Sequence, residues 1–480
     1  MRAWYVPGAS SLAARNSRWN CNRKVIPMKA DASPTKDFFI YMITKDIPLD
    51  ECILDLLDNC IDGANNDLQR KDDIHRKSGQ GRKKVSPDQR RYNGYWAEVT
   101  IGGEEFIVAD NCGGISLDDA VNYAFHFGRR YDAPPTAGYS IGLYGIGMKR
   151  AMFKMGKDIA IESSTETDSF SVKIDVAEWA RRDAWDFDLE PMESKEPYGT
   201  RISIKGINKG IDEELADPVF VNQLIKSIAR GYSLILQRGF KIKVNGTEVK
   251  PYIFYLRESE EFKPVKRTYI DDETGVEVEI VAGLAGLPPN DISAEAATTR
   301  QAEAEYYGWF VLGNDRVVLA ADKGDDTVWG DEKFPIWHWQ YTGFLGIASF
   351  RASDPGNLPW TTTKRALDAT SPLYRRAVTV MKEVTRPYLT YTHNRRADES
   401  SARVMERRAA RVPFSDVAVR EQMVLPRIGN ANREETVNIT YQKPKAEVQK
   451  VAKALGNANM SNKQVGIETF DYYRDNETED

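Results

Sequence analysis

The sequence predicts an α+β fold, and three observations carry that prediction. A single amphipathic helix with an acidic stripe precedes short β-rich runs that pair as hairpins. A glycine-rich segment then opens a second helix without the parallel strand–helix–strand unit that a doubly wound sheet requires. Further hairpins and a late helical region follow.

The first helix is read at Glu51–Asn65. Ile53, Leu54, Leu56, Leu57 and Ile61 suit one buried side. Glu51, Asp55, Asn59 and Asp62 are spaced by four, four and three residues, so they share the other side. Carboxylates and a carboxamide on one stripe repel each other unless a cation or ligand sits there, which suits a magnesium-nucleotide site. An ordinary amphipathic helix with a solvated acidic face fits the same pattern. The stretch before it, Ser33–Leu49, reads as an arm or short strand. Residues 66–92 read as a solvated loop or the frayed helix end.

Trp96–Ile101 and Glu104–Asp110 form a hairpin around Gly102-Gly103. Its second strand delivers Asp110 into Asn111-Cys112-Gly113-Gly114. Glycines there allow backbone to approach a flat ligand, and a fixed carboxylate accepts from an exocyclic amine such as adenine N6. A strand-ending turn also uses glycine. Residues 116–141, with Phe127-Gly-Arg-Arg130, make a connection, and Gly142, Gly145 and Gly147 then open an apolar helix. Unpaired amides and the positive dipole end of such a helix face phosphate, and Lys149 in its first turn adds a cation. A hairpin at 158–163 and 170–175 precedes Tyr198-Gly199-Thr200, where the Thr200 hydroxyl reaches toward the base region or simply begins a strand.

Asp217-Pro218 starts a helix to about Gln237, and Asn245-Gly246 turns a hairpin. Strands follow at 276–281, 308–312 and 314–320. Residues 372–412 read as one helix, later arginine-rich: a nucleic-acid contact or, with acids interleaved, an exposed helix. The tail from Lys443 suggests a helix, a turn and a short aromatic segment.

Hydrophobic residues at 41% and charged residues at 29% read as globular, and a net charge of −5 gives no global drive toward nucleic acid. No apolar run reaches the roughly 18–20 residues that cross a bilayer. Four cysteines without paired metal spacing suggest reduced thiols and a cytoplasmic location. The first 27 residues carry five basic residues and no acid. That is the look of a transit peptide, and a disordered extension or an early start with the working start at Met28 explains it more simply.

The asparagine helix, the Asp-then-Gly-Gly turn after a hairpin, the glycine-opened helix and Gly-Thr before a strand occur in one fixed order. This order resembles the ATPase superfamily of gyrase B, the large heat-shock chaperone, histidine kinases and MutL, closest in flavour to its MutL and MORC-like branch. The resemblance implies a Bergerat-type left-handed α/β sandwich at 33–212, after an extension at 1–32. It also implies an S5-like α/β transducer domain at 213–390 and a helical region at 391–480.

By position, the resemblance makes Asn59 the magnesium-binding asparagine and Asp110 the adenine-recognising aspartate. Asp62, Gly114, Gly142, Gly145, Gly147, Lys149 and Thr200 become further nucleotide contacts. Lys364, otherwise a surface charge, resembles the transducer lysine that reaches the γ-phosphate. The family base is a Glu where this chain has Asp55, one methylene shorter, with Glu51 a turn earlier as substitute. Cys112 stands at the first glycine of the aspartate turn.

The implied protein binds ATP and Mg2+, hydrolyses ATP slowly and closes as a clamp, with the 116–144 lid over the nucleotide. It dimerises on ATP, with DNA or a protein as client and no membrane partner. A nucleotide-sensing module without turnover is the alternative. A phosphotransferase to histidine needs an acceptor on a dimerising hairpin, and none of the four histidines sits on one.

Overall fold

The structure is a computed structural model and describes residues 34–77, 91–130, 138–290, 304–331, 334–361, 364, 366–428 and 439–477. The extension at 1–32 lies outside the described residues, as does Cys21.

The first helix, α1 (Lys36–Thr44), replaces the expected arm or strand. Thr35 caps it by accepting from the Phe38 amide. Lys36 then anchors it, donating from Nζ to the Trp179 carbonyl at 2.8 Å and lying 4.1 Å from that ring's centroid. Exposure follows a helical period, with Phe38, Tyr41 and Met42 outside and Ile40 and Ile43 against the core. Helix α2 (Leu49–Lys77) carries the acidic stripe and runs three turns beyond Asn65 into the supposed loop. Residues 78–90 lie outside the described residues.

The next eight strands build the first sheet. They are β1 (Trp96–Ile101), β2 (Glu105–Asp110), β3 (Gly156–Ser164), β4 (Ser169–Asp175), β5 (Leu189–Met192), β6 (Gly199–Ile207), β7 (Lys241–Val244) and β8 (Thr247–Glu248). The order is β5-β4-β3-β6-β2-β1-β7-β8. Pairing is antiparallel except β1 with β7. Alternate residues are buried: Ala97 and Val99, Phe106 and Val108, Ile159 and Ile161, Ile202 and Ile204. Period-two burial leaves one face for Ile53, Leu56, Leu57, Cys60 and Ile61 of α2. Each such fully buried aliphatic side chain contributes roughly 1.5–3 kcal/mol. The Asn245-Gly246 turn, with both φ angles positive, adds β7 and β8 from beyond residue 212 to this sheet.

A second sheet runs β10-β11-β14-β12-β13. Its members are β10 (Val265–Ile270), β11 (Glu277–Leu284), β12 (Gly308–Gly313), β13 (Arg316–Asp322) and β14 (Phe344–Arg351), and β9 (Tyr255–Glu258) lies beside it. β12 and β14 are buried along their whole length, because the helix Pro372–Asn394 covers one face and Leu234, Phe254 and Phe414 the other. The expected 218–237 helix is interrupted at Tyr232, whose hydroxyl turns inward to the Leu54 carbonyl.

The expected 372–412 helix also breaks. A turn at Arg395–Ala397 leads to Asp398, which caps a new helix Glu399–Arg408, and β15 (Ala410–Pro413) then pairs with β9. The cause is a buried ion pair: Arg395 Nε donates to the fully buried Glu406 at 2.8 Å, which needs the chain folded back. Arg395 is therefore interior, neither a nucleic-acid contact nor part of an exposed face. Helices Lys445–Ala454 and Asn462–Glu477 form the tail, and the aromatic segment belongs to the second.

Candidate nucleotide site

The acidic stripe of α2 forms one wall of a cleft of about 620 Å³, which lies within the usual range of small-molecule sites. Asp55, Asn59 and Asp62 line it, and Asn59 is exposed to its interior. Opposite stand Gly142, Gly145, Gly147 and Lys149, with Gly114 at one end and Lys364 at the other. Glu51 is not on the lining. Its carboxylate lies 3.7 Å from the Arg316 guanidinium.

Asp55 is buried and ion-paired to Arg150, also buried, while Lys364 Nζ lies 3.7 Å from its other oxygen. The first glycine of the facing helix, Gly147, runs so close that a Cβ there would sit 3.2 Å from the Asp55 carboxyl carbon. The larger cation site is one residue before Asn59. Asp58 is fully buried and accepts from Tyr232 Oη at 2.8 Å, Arg316 Nε at 2.8 Å and Lys364 Nζ at 2.6 Å. Burial pushes its carboxyl up, but Arg316 and Lys364 more than reverse this and hold it below the ordinary value.

At the other end, Asp110 and Thr200 stand behind the lining. Asp110 Oδ1 accepts from the amides of Cys112 at 2.8 Å and Thr200 at 3.3 Å. Burial raises its carboxyl above the ordinary value, with those amides pulling against it. The Thr200 hydroxyl faces Ser163 Oγ at 3.2 Å. Gly114 has φ +71, and a Cβ there would lie 2.8 Å from the Ser164 carbonyl carbon, so its glycine serves the approach of β3 to the turn.

Asp62 holds the glycine loop. It accepts from the amides of Ile141 at 2.8 Å and Gly142 at 2.6 Å, and from Ser140 Oγ at 3.3 Å. Burial pushes its carboxyl up to about 6 despite those two amides. A folded-state value above the ordinary one means that the stability from this group is present at acidic pH and lost as pH rises through about 6. Urea unfolding of wild type and Asp62→Asn from pH 4 to 7 should show the wild type losing ground to the variant over that range. A constant difference would show ordinary titration.

The helix Gly147–Met155 has Ile146 at its N-cap, which has no side-chain acceptor, so its first amides are left without a side-chain cap, and its first residues line the cleft. Lys149 donates from Nζ to the Ala124 carbonyl at 2.8 Å and is buried, which pushes its ammonium down to about 8. Among the described residues no carboxylate comes within ion-pair distance of it. Uncapped amides beside a cation without a carboxylate partner suit an anionic group. Residues 48–208 match the family described as histidine kinase-, DNA gyrase B- and HSP90-like ATPase. The match spans about a third of the chain and includes both walls of the cleft, so this part of the chain is similar to ATPases of that family. None of the curated proteins compared with the chain matches it.

Four residues around the cleft were missed in the sequence. Arg129 and Arg130 of the lid line it, as does Arg150; the first two stood in view as a doubled arginine after Gly128. Asp58 left no signal, since it falls among apolar positions and its cationic partners lie 258 and 306 residues away. The lid's far end is tied to the second sheet: Asn314 Nδ2 donates to the Ser140 carbonyl at 2.7 Å. Residues 131–137 of the lid lie outside the described residues. No helix among the described residues is long and apolar enough to cross a membrane.

Proposed function

We propose that the chain is an ATP-driven conformational clamp that hydrolyses ATP slowly. The observation that carries this reading is the cleft, in which the asparagine helix, the uncapped glycine-opened helix and Lys364 from beyond the ATPase domain converge on one volume. Asn59 faces Gly142 across it, and a Cβ on Gly142 would lie 3.9 Å from Asn59 Oδ1. Among the described residues no group of three acidic, histidine or cysteine ligands could hold a metal alone. That suits magnesium, which keeps its waters and phosphate oxygens and takes one or two protein ligands. Asn59 would be that ligand, and the metal would neutralise phosphate charge when bound.

Asp55 would accept the proton of the attacking water, Lys149 and Arg129 would hold phosphate oxygens, and Lys364 would meet the terminal phosphate. Asp110, with Thr200 beside it, would take the adenine. Lid closure over the nucleotide would be carried to the second sheet through Ser140 and Asn314. Pairing of two chains on ATP, a MutL or MORC-like lineage, an S5-like transducer role for the second sheet and a DNA or protein client belong to the same reading. They rest on the family likeness alone.

Steady-state phosphate release with magnesium tests the chemistry. Asp55→Ala should lower it by about 10²–10⁴-fold, as loss of a general base does, and Glu51→Ala far less. A reversed pattern would move the base to Glu51. Sizing with and without a non-hydrolysable ATP analogue tests the clamp, whose mass should double. One observation favours a nucleotide sensor without turnover: the Asp55 carboxylate is already engaged by Arg150. Wild type that binds ATP but releases no phosphate would select that reading.

A further inference from the structure

We infer that Arg316 is a positioning residue for Lys364, and that the two act on the terminal phosphate as one unit. The inference rests on the cleft being an ATP site. Arg316 is the first residue of β13, directly after the tight turn at Asn314 and Asp315, whose φ values are 45° and 69°. Its turn is fixed from both sides, since Asp315 accepts from Arg238 at 2.5 Å and Arg351 at 3.0 Å. The guanidinium is thereby driven into the join between the ATPase domain and the second sheet, where its side chain is 4% exposed.

There the planar fork touches three groups. Nε donates to Asp58 Oδ1 at 2.8 Å, Nη2 lies 3.7 Å from Glu51, and Nη1 donates to the Lys364 carbonyl at 3.4 Å. Lys364 has φ +56, a left-handed conformation that a residue with a Cβ keeps only when its surroundings hold it. Two bonds hold that backbone: the Lys364 amide to the Thr361 carbonyl at 2.9 Å, and Arg316 on the Lys364 carbonyl. The conformation aims Nζ at Asp58 Oδ2, 2.6 Å away, with Asp55 at 3.7 Å.

Asp58 is thus shared, one oxygen to each cation. If Lys364 leaves for a phosphate oxygen, Arg316 and Tyr232 still neutralise and hydrogen-bond the buried carboxylate. No uncompensated charge is left behind, so the exchange becomes affordable for Lys364. A lysine at 316 keeps the charge but lacks the fork that reaches both a carboxylate and a carbonyl.

Calorimetry on the full chain, with ADP and with a non-hydrolysable ATP analogue, tests this in wild type, Arg316→Lys, Arg316→Gln, Lys364→Met and the Arg316→Lys/Lys364→Met double variant. Arg316→Lys should keep wild-type affinity for ADP and lose the preference for the analogue by about tenfold, a typical coupling factor. It should match Lys364→Met, and the double variant should fall no further, as expected for groups acting as one. If Arg316→Gln fails to fold, Arg316→Lys still carries the comparison. Equal weakening of ADP and analogue overturns the inference, because a merely structural role does that. Losses that multiply in the double variant overturn it as well. A preference removed by Lys364→Met but untouched by Arg316→Lys overturns this inference alone. A preference that Lys364→Met leaves intact removes the phosphate role of Lys364 and overturns this inference, and a wild type that binds neither nucleotide overturns the ATP reading of the cleft with it.

Discussion

Asp58→Ala is expected to destabilise the chain by about 3–5 kcal/mol, the usual cost of removing one partner from a buried ion pair. Asp58 is 0% exposed, and Arg316 and Lys364 against it have side chains 4% and 8% exposed. Removing the carboxylate strands both cations and the Tyr232 hydroxyl at a join where little water can enter. Glu51 and Asp55, each 3.7 Å from one of the two cations, recover only part of the loss. Urea unfolding at neutral pH measures the effect, and a midpoint equal to wild type would show that those two acids suffice. The folded-state carboxyl titrates below its ordinary value, so this stability is present above the ordinary pKa and lost as pH falls through the folded one. The gap between wild type and variant should therefore narrow in acid.

Gly199→Ala is the second large effect, at about 3 kcal/mol, the upper end of what overpacking costs. A Cβ on Gly199 would lie 2.7 Å from the Asp110 carbonyl carbon and 2.8 Å from the Asn111 Cα. Both are backbone atoms, so no side chain can swing aside, and β6 must move off β2. Gly103, in the hairpin turn, has nothing within 4 Å of a built Cβ. Gly103→Ala should then stay within about 0.5 kcal/mol of wild type. Thermal melts of both variants make the comparison, and equal midpoints would mean that the Gly199 strand start yields easily. Because the strain falls on Asp110 and Thr200, Gly199→Ala should also weaken adenine-nucleotide binding in whatever fraction stays folded.

Much of the candidate site's geometry was legible because it is local. The α2 stripe, the Asp110 turn and the Gly142–Gly147 helix start each lie within one short segment, where side-chain period and glycine placement fix which groups face together. The hairpins at β1–β2, β3–β4 and β7–β8 read correctly for the same reason. α1 was misread because aromatic and β-branched residues suit strand and helix alike over nine positions, and the deciding contact, Lys36 on Trp179, is 143 residues away. The break at Asn394–Asp398 was missed because a run of arginine and glutamate looks solvated until Arg395 and Glu406 are found facing inward.

By itself, the sequence determined the acidic asparagine helix, the glycine-hinged second helix and the motif order by which residues 48–208 match the ATPase family. Tertiary structure alone decided which charges meet. Asp55 is paired with Arg150, Asp62 holds the loop at Gly142, and Asp58 carries Arg316 and Lys364 from the second sheet and its following loop. Periodicity tells which residues of one helix share a side. It carries no information about cations that arrive from hundreds of residues away, and in a buried join the energy of a carboxylate is set by those partners.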